Sequence, residues 1–208
     1  MRTPWLDGVL TRGTPADPGD PWRPGPAETW DAELRAGLVQ RVVGDVIVAA
    51  DVTVDGVDAA GLRGRALALL VPGDVVVLGA AAVWVHLGSP VPTPREVHVA
   101  GRRSPEPGGG IVVVPSRVRP AAFDVALVGP LRVSCPARAL LEAATTHPHR
   151  AARWGSALTA AGLLDADAVA GASDAARGRA GVRVARRALS LPRSASPRRV
   201  SPSAAARP

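Results

Sequence analysis

The 208-residue chain contains no Lys, no Asn and no Tyr, a single Phe (Phe123) and a single Cys (Cys135). One cysteine excludes an internal disulfide and makes a reducing cytoplasm the expected compartment. Scarce aromatics leave Ala, Val and Leu to build the core, with Trp84 as its expected large filler. No apolar run approaches the roughly 20 residues needed to span a bilayer. The longest, residues 75–87, is short and carries His86. Residues 1–10 lack the basic-then-apolar order of a signal peptide. The absence of Lys also argues against a nuclease-type centre, which wants clustered carboxylates and usually a Lys.

All 25 basic residues are therefore Arg, and their distribution is uneven. Residues 1–150 hold 15 Arg and 15 acids, a balance of zero. Residues 151–208 hold 10 Arg and 3 acids, a balance of +7. No acid follows Asp174. Such asymmetry favours a polyanion or an acidic protein as partner. The plain alternative is a solvated basic tail.

Residues 1–30 are interrupted by Pro4, Pro15, Pro18, Pro21, Pro24 and Pro26 and read as a flexible arm that Trp5, Trp22 and Trp30 could dock. A short helix is expected over 31–37. Two β-branched runs flanking Gly44-Asp45 predict a hairpin over 38–50. A helix over 57–70 places Leu62, Ala66, Leu69 and Leu70 on one face, with Arg63 and Arg65 off it. A strand at 75–78 and a helix at 80–87 follow. Strands are expected at 95–100, 110–115, 124–128 and 131–134, with the polar, Gly/Pro-rich residues 102–109 as a hairpin tip. Val97 and Val99 alternate with Glu96 and His98, so one face of that strand should be wet. Pro136 opens a helix over 136–145, where a missing N–H costs nothing. Arg138 and Glu142 are spaced to pair across one turn, worth about 0.3–0.5 kcal/mol on a surface. Helices are expected at 150–161, 165–172 and 179–189, and the Pro/Ser/Ala/Arg-rich residues 191–208 as a disordered basic tail.

Three stretches in this order resemble the AbiEi-type antitoxins of type IV toxin–antitoxin systems in high-GC Gram-positive bacteria. Leu34-Arg-Ala-Gly-Leu-Val-Gln-Arg-Val-Val-Gly-Asp-Val-Ile-Val is similar to the last helix and wing of that family's winged helix. Residues 75–88, ending Ala-Ala-Ala-Val-Trp-Val-His-Leu-Gly, are similar to its strand and Ala-Ala-x-x-His-Gly-like helix, where Trp84 and His86 fall. Leu131-Arg-Val-Ser-Cys-Pro-Ala-Arg-Ala-Leu-Leu-Glu is similar to its Val-Thr-Thr-Pro-Ala-Arg-Thr-Leu-Leu-Asp pattern, which makes Cys135, Pro136, Arg138 and Glu142 motif positions. Cys135 stands where that pattern has a Thr, implying a capping role, and Glu142 stands for its Asp. The resemblance covers roughly residues 31–190. It implies a winged-helix remnant at 31–55, an antitoxin-like α+β core at 56–148 and a helical extension at 149–190. The fold expected is therefore α+β: a degenerate winged-helix-like N-terminal module, a small mixed or antiparallel sheet core with flanking helices, and a helical C-terminal part. Many relatives continue into an endonuclease-like domain of the very-short-patch-repair type. This chain stops where that domain would begin, so its carboxylates are not carried over.

No phosphate loop, dinucleotide fingerprint or Gly-x-Ser-x-Gly elbow occurs. Gly108-Gly109-Gly110 precedes a strand and reads as a turn. His86, His98, His147 and His149 have no metal-ligand spacing, and His86 reads as a core residue, His98 as solvent-facing. Cys135 lies at a helix N-terminus between Arg132 and Arg138, a setting that can make a thiol reactive, but no base or oxyanion site accompanies it. Asp124 and Glu142 read as an isolated acid pair. The basic residues carry more. Arg179, Arg183, Arg186 and Arg187 lie on or near one stripe of the last helix, where guanidinium groups fork onto phosphates. Arg35, Gln40 and Arg41 are the candidate contacts of the wing. The function expected is a non-catalytic, cytoplasmic regulator that binds duplex DNA or neutralises a cognate toxin, without metal, cofactor, membrane or small-molecule substrate. The rivals are a truncated protein-interaction module and the remnant of a regulator fused to the endonuclease-like domain.

Overall fold

The computed structural model describes residues 19–24, 30–101 and 109–190. Two sheets and seven α-helices make an α+β fold among them. The expected flexible arm lies mostly outside these residues and the basic tail of 191–208 wholly so, as do Trp5 and Arg102.

Helix α1 (Asp31–Arg35) ends just before Gly37, whose φ of +68° turns the chain into the hairpin β1 (Val39–Val43) and β2 (Val46–Ala49). A glycine is needed there because other residues resist that left-handed conformation. The hairpin is covered on both sides. Val39 and Ile47 pack on Trp22 and Trp30, whose rings meet edge-on at 5.7 Å, while Val42, Val43, Val46 and Val48 enter the main core. Trp22 exchanges two 3.0 Å backbone hydrogen bonds with Ile47, so this part of the arm is docked by an isolated antiparallel bridge. The tip is also covered. Asp45 N–H donates to Gly109 O at 2.8 Å, and Arg23 pairs with Asp45 at 2.8 Å.

Helix α2 (Ala60–Ala68) leads to β3 (Val76–Leu78), and α3 (Gly79–Leu87) follows directly. Strands β4 (Glu96–Ala100), β5 (Val112–Pro115), β6 (Val125–Val128) and β7 (Leu131–Ser134) complete a mixed sheet of order β5-β4-β3-β7-β6. β3 runs antiparallel to β4 and parallel to β7, and β6 is antiparallel to β7. β4 and β5 are parallel, with Val97 opposite Val113. This corrects the expected hairpin across 102–109: parallel partners need a chain reversal outside the ladder, whereas a hairpin joins antiparallel ones. Gly109 and Gly110 instead close onto the β1–β2 tip, where a Cβ at Gly44 would overlap the Gly109 carbonyl oxygen.

Helix α4 (Pro136–Thr146) is followed by α5 (Pro148–Ala160), α6 (Ala166–Ala175) and α7 (Val182–Ala188). Ala139, Leu140 and Ala143 of α4 share one core with Trp84, Val97 and Val133 on the sheet side and Trp154, Leu158 and Val169 of the later helices. The helical extension and the α+β core are thus joined through α4. Leu140 is 1% exposed. Leu140→Ala should cost about 2–3 kcal/mol, towards the lower part of the range for buried leucines. The reason is Gly155 of α5, whose Cβ position lies 3.3 Å from a Leu140 methyl, so a helix without a side chain there can settle into the space. A denaturant midpoint unchanged in this variant would contradict the packing.

Candidate nucleic-acid interface and adjoining cavity

The last two helices are tied by acids and glycines. Asp174 accepts from Arg177 at 3.2 Å and from Arg186 at 3.0 Å, and Arg186 also donates to Ser173 Oγ at 3.0 Å. Gly178 and Gly181 have φ of +86° and +80°, which folds the intervening turn back on α4. A Cβ at Gly181 would stand 3.0 Å from Thr145 Cβ, so the close approach itself favours glycine. Val182 and Ala185 are buried against Leu141, Ala144 and Ala151. That anchorage leaves Arg183 and Arg187 on the solvent side, with Arg179 exposed in the turn.

The expected stripe is therefore altered in two ways. The helix begins at Val182 rather than at residue 179, because Gly181 is left-handed, so Arg179 belongs to the turn. Arg186 is half-buried and holds α7 to α6. What remains is a concave surface of about 420 Å³ lined by Arg177, Arg179, Arg183, Arg186 and Ser173.

The hairpin candidates fare differently. Gln40 does not face a ligand: its Nε2 donates to Val52 O at 2.6 Å and Ala50 O at 3.0 Å, fastening the chain that leaves β2. Arg35 is exposed and donates to Asp31 O at 2.9 Å within its own helix, and Arg41 is exposed on β1. Since the tip of 44–45 is covered by 109–110, it does not project as a free wing.

Beneath the basic concavity lies a cavity of about 190 Å³, bounded by His98 of β4, the 116–118 segment, α4 and the 176–182 turn. Arg179, Ala180 and Val182 line both spaces. On its floor, Arg138 is 2% exposed and donates to Glu142 Oε1 at 2.6 Å, with Asp124 Oδ2 4.0 Å from its other side. Asp124 and Glu142 are thus not an isolated pair of acids but two partners of one buried guanidinium. Helix spacing revealed the Arg138–Glu142 pair, yet not its burial, and the surface value of a few tenths of a kcal/mol does not apply. Burial holds the Glu142 carboxyl above its ordinary range, an effect that the hydrogen bond and charge of Arg138, the Gly79 N–H and the charge of Arg179 offset only in part.

A raised carboxyl pKa means that the folded state keeps the proton to higher pH than the unfolded chain. The resulting stabilisation is present below the unfolded value and is lost as pH rises through the folded one. Glu142→Gln mimics the protonated form. It should be at least as stable as the parent at neutral pH, and its stability should fall less as pH rises above 4.5. Urea melts of both proteins across pH 4–7 check this; parallel curves with the parent more stable throughout would contradict it.

The remaining motif residues are structural. Trp84 is buried in the core. His86 is buried with Nε2 2.8 Å from Ser134 O, and burial pushes its pKa down, so a neutral ring donates to that carbonyl and ties α3 to β7. Cys135 occupies the position before α4, but its thiol makes no capping bond, correcting the expected Thr-like role. Its backbone N–H donates to Asp124 O at 2.7 Å. His98, expected to face solvent, is part-exposed, pairs with Glu96 at 2.7 Å and turns one side to the cavity.

Arg63 is the polar residue that sequence reading misplaced. It is fully buried, donating from Nε to Val85 O at 3.1 Å and from Nη1 to Val54 O at 2.7 Å. Burial lowers its pKa to about 10 despite the nearby charge of Asp55, so it stays cationic at neutral pH. The available signal was Gly64, a poor helix former kept where a Cβ would overlap the Val128 carbonyl oxygen. Among the described residues no group of three or more His, Cys, Asp or Glu is placed to hold a metal, and no helix is long and apolar enough to cross a membrane. Comparison with protein-family models, with curated proteins and with solved structures finds no match for this chain.

Proposed function

We propose that this chain is a non-catalytic, antitoxin-like regulator that binds duplex DNA through the arginines of the 176–187 region rather than through its hairpin. The observation that carries this reading is the concave surface lined by Arg177, Arg179, Arg183 and Arg186, in a chain whose whole excess of +7 lies after residue 150. Guanidinium groups on a concave surface suit phosphate oxygens, which position a protein on a duplex without specifying sequence. Arg179, Arg183 and Arg187 are the outward members, and Arg177 and Arg186 stiffen the surface through Asp174. The covered tip and the spent Gln40 remove the hairpin as a groove reader and support moderate, sequence-tolerant binding.

Electrophoretic titration at two salt concentrations, on duplexes from the chain's own upstream region and on random duplexes, tests this. Affinity should fall steeply with salt as neutralised phosphates release counterions. Arg183→Ala and Arg187→Ala should each lower the salt slope by about one unit for each phosphate that is no longer neutralised, and weaken all sequences alike. Arg41→Ala should leave binding unchanged. No binding at low salt would remove the proposal. It would favour a second reading, a protein-interaction module that holds a cognate toxin, whether as a truncated relative or as the remnant of a regulator with an endonuclease-like domain. That reading rests on Phe123, in the turn before β6, and Leu127 of that edge strand, 79% and 71% exposed.

A further inference from the structure

We propose that the cavity between β4, α4 and the 176–182 turn is an effector site for a small organic monoanion, a carboxylate on a compact apolar body, and that its occupancy weakens the DNA contact through Arg179. The first clause stands on the cavity alone, and the second rests on the proposed DNA binding. Size comes first. A volume of about 190 Å³ exceeds the roughly 150 Å³ that suffices for a benzene ring in an engineered protein cavity, leaving room for one small polar group. The walls then set the chemistry. Val118, Leu141, Ala176, Ala180 and Val182 offer an apolar body its surface.

The charges in the lining select the polar group. Arg138 is shared by Glu142 at 2.6 Å and Asp124 at 4.0 Å, and His98 is engaged by Glu96 at 2.7 Å. Arg179 lines the same space and makes no ion pair among the described residues. Its charge reaches Glu142 only at a distance, so a guanidinium without a direct ion-pair partner at the edge of a largely apolar cavity suits one negative charge on the ligand. A cation would meet Arg179 unfavourably, and a neutral amide would leave it unpartnered. The hydroxyl of Ser116, whose oxygen accepts from Val118 N–H at 3.1 Å, stands in the lining as a further donor to the carboxylate.

Arg179 also explains the coupling. It lines both the cavity and the basic concavity, in a turn held by Gly178 and Gly181. A carboxylate that engages this guanidinium takes from the outer face a charge that would otherwise meet a phosphate. Ligand and DNA then weaken one another by the same factor, as linkage requires.

The test uses the full chain with benzoate and hexanoate as probes and benzamide and hexanamide as uncharged controls, ionic strength being matched with chloride. Binding is read by calorimetry and by melting temperature, independently of DNA. At least one carboxylate should bind with a Kd on the order of 1 mM, as expected for so few atoms, and its amide should bind at least tenfold more weakly. Arg179→Gln should lose the preference for the acid, and Thr146→Phe, which fills the cavity from an exposed position while leaving Arg179 in place, should lose both acid and amide. In the DNA titration, the carboxylate that binds should weaken the parent to the level of Arg179→Gln and leave Thr146→Phe unaffected. Neither carboxylate binding, or binding that survives both substitutions, would overturn the site. A carboxylate that binds as expected without altering DNA affinity would overturn the coupling alone, and absence of DNA binding in the unliganded parent would overturn the DNA reading while leaving the ligand site standing.

Discussion

Arg138→Leu should lower the folding stability by about 3–5 kcal/mol, a large share of the 5–15 kcal/mol typical of a whole domain. The guanidinium is buried and is the counter-charge of two carboxyls, Glu142 at 2.6 Å and Asp124 at 4.0 Å. Its removal leaves both in a space that water scarcely reaches. Glu142, already held above its ordinary pKa by burial, would be pushed further towards the neutral form, and that protonation limits the loss. The variant should accordingly recover part of its stability as the solution is made more acidic. Removing both ends, as Arg138→Leu with Glu142→Leu, should cost far less than the single change, because a buried pair replaced by apolar groups is often neutral. Urea melts of the four proteins form a double-mutant cycle. Additive losses in that cycle would show that the two residues do not act as a pair.

The second large effect is expected at Arg63. Arg63→Leu deprives the Val54 and Val85 carbonyls of their donor. The buried Val85 acceptor left without a partner costs about 1–3 kcal/mol and the part-buried Val54 acceptor less, and relief of the guanidinium's own desolvation returns part of that, for a net loss of about 2 kcal/mol. The substitution also unfastens the segment after β2 from the last turn of α3. Gly88 gives an independent check. It has φ of +69°, and a Cβ there would lie 2.9 Å from Arg63 Nη1. Gly88→Ala should therefore destabilise by more than the usual surface change, through the positive φ and by displacing the Nη1 that donates to Val54 O. A variant of Arg63 that melts within experimental error of the parent would refute the role.

The elements were largely legible because each has local punctuation. Gly37, Gly88 and Pro136 mark ends that the structure keeps, and the alternation of Val97 and Val99 with Glu96 and His98 gave the right buried face to β4. Less visible was anything set by pairing at a distance. Nothing local to residues 95–115 says that β4 and β5 run parallel, since direction is decided by which chain ends the rest of the sheet leaves free. The buried arginines were missed for a related reason. A helical wheel assigns a residue to a face, but whether that face is covered depends on a partner elsewhere: the α3 end for Arg63, and Asp124 together with the 176–182 turn for Arg138 and Glu142. The basic region was readable as composition and only roughly as geometry. Charge counting located the excess of Arg along the chain, while the left-handed Gly181 and the Asp174 ties redistributed the positions of Arg179 and Arg186.

The position of β3 bears on how the chain is made. Val76 and Val77 occupy the middle of the sheet, yet their parallel partners, Arg132 and Val133, leave the ribosome long after them. Until then one edge of β3 is open, and α3, whose residues from Ala81 to Leu87 are all buried in the finished protein, has no α4 to cover it. Long-range parallel pairing closes late and leaves apolar surface open to other chains meanwhile. A nascent chain stalled or cleaved before α4 is complete would consequently not be a smaller folded protein but a sticky one.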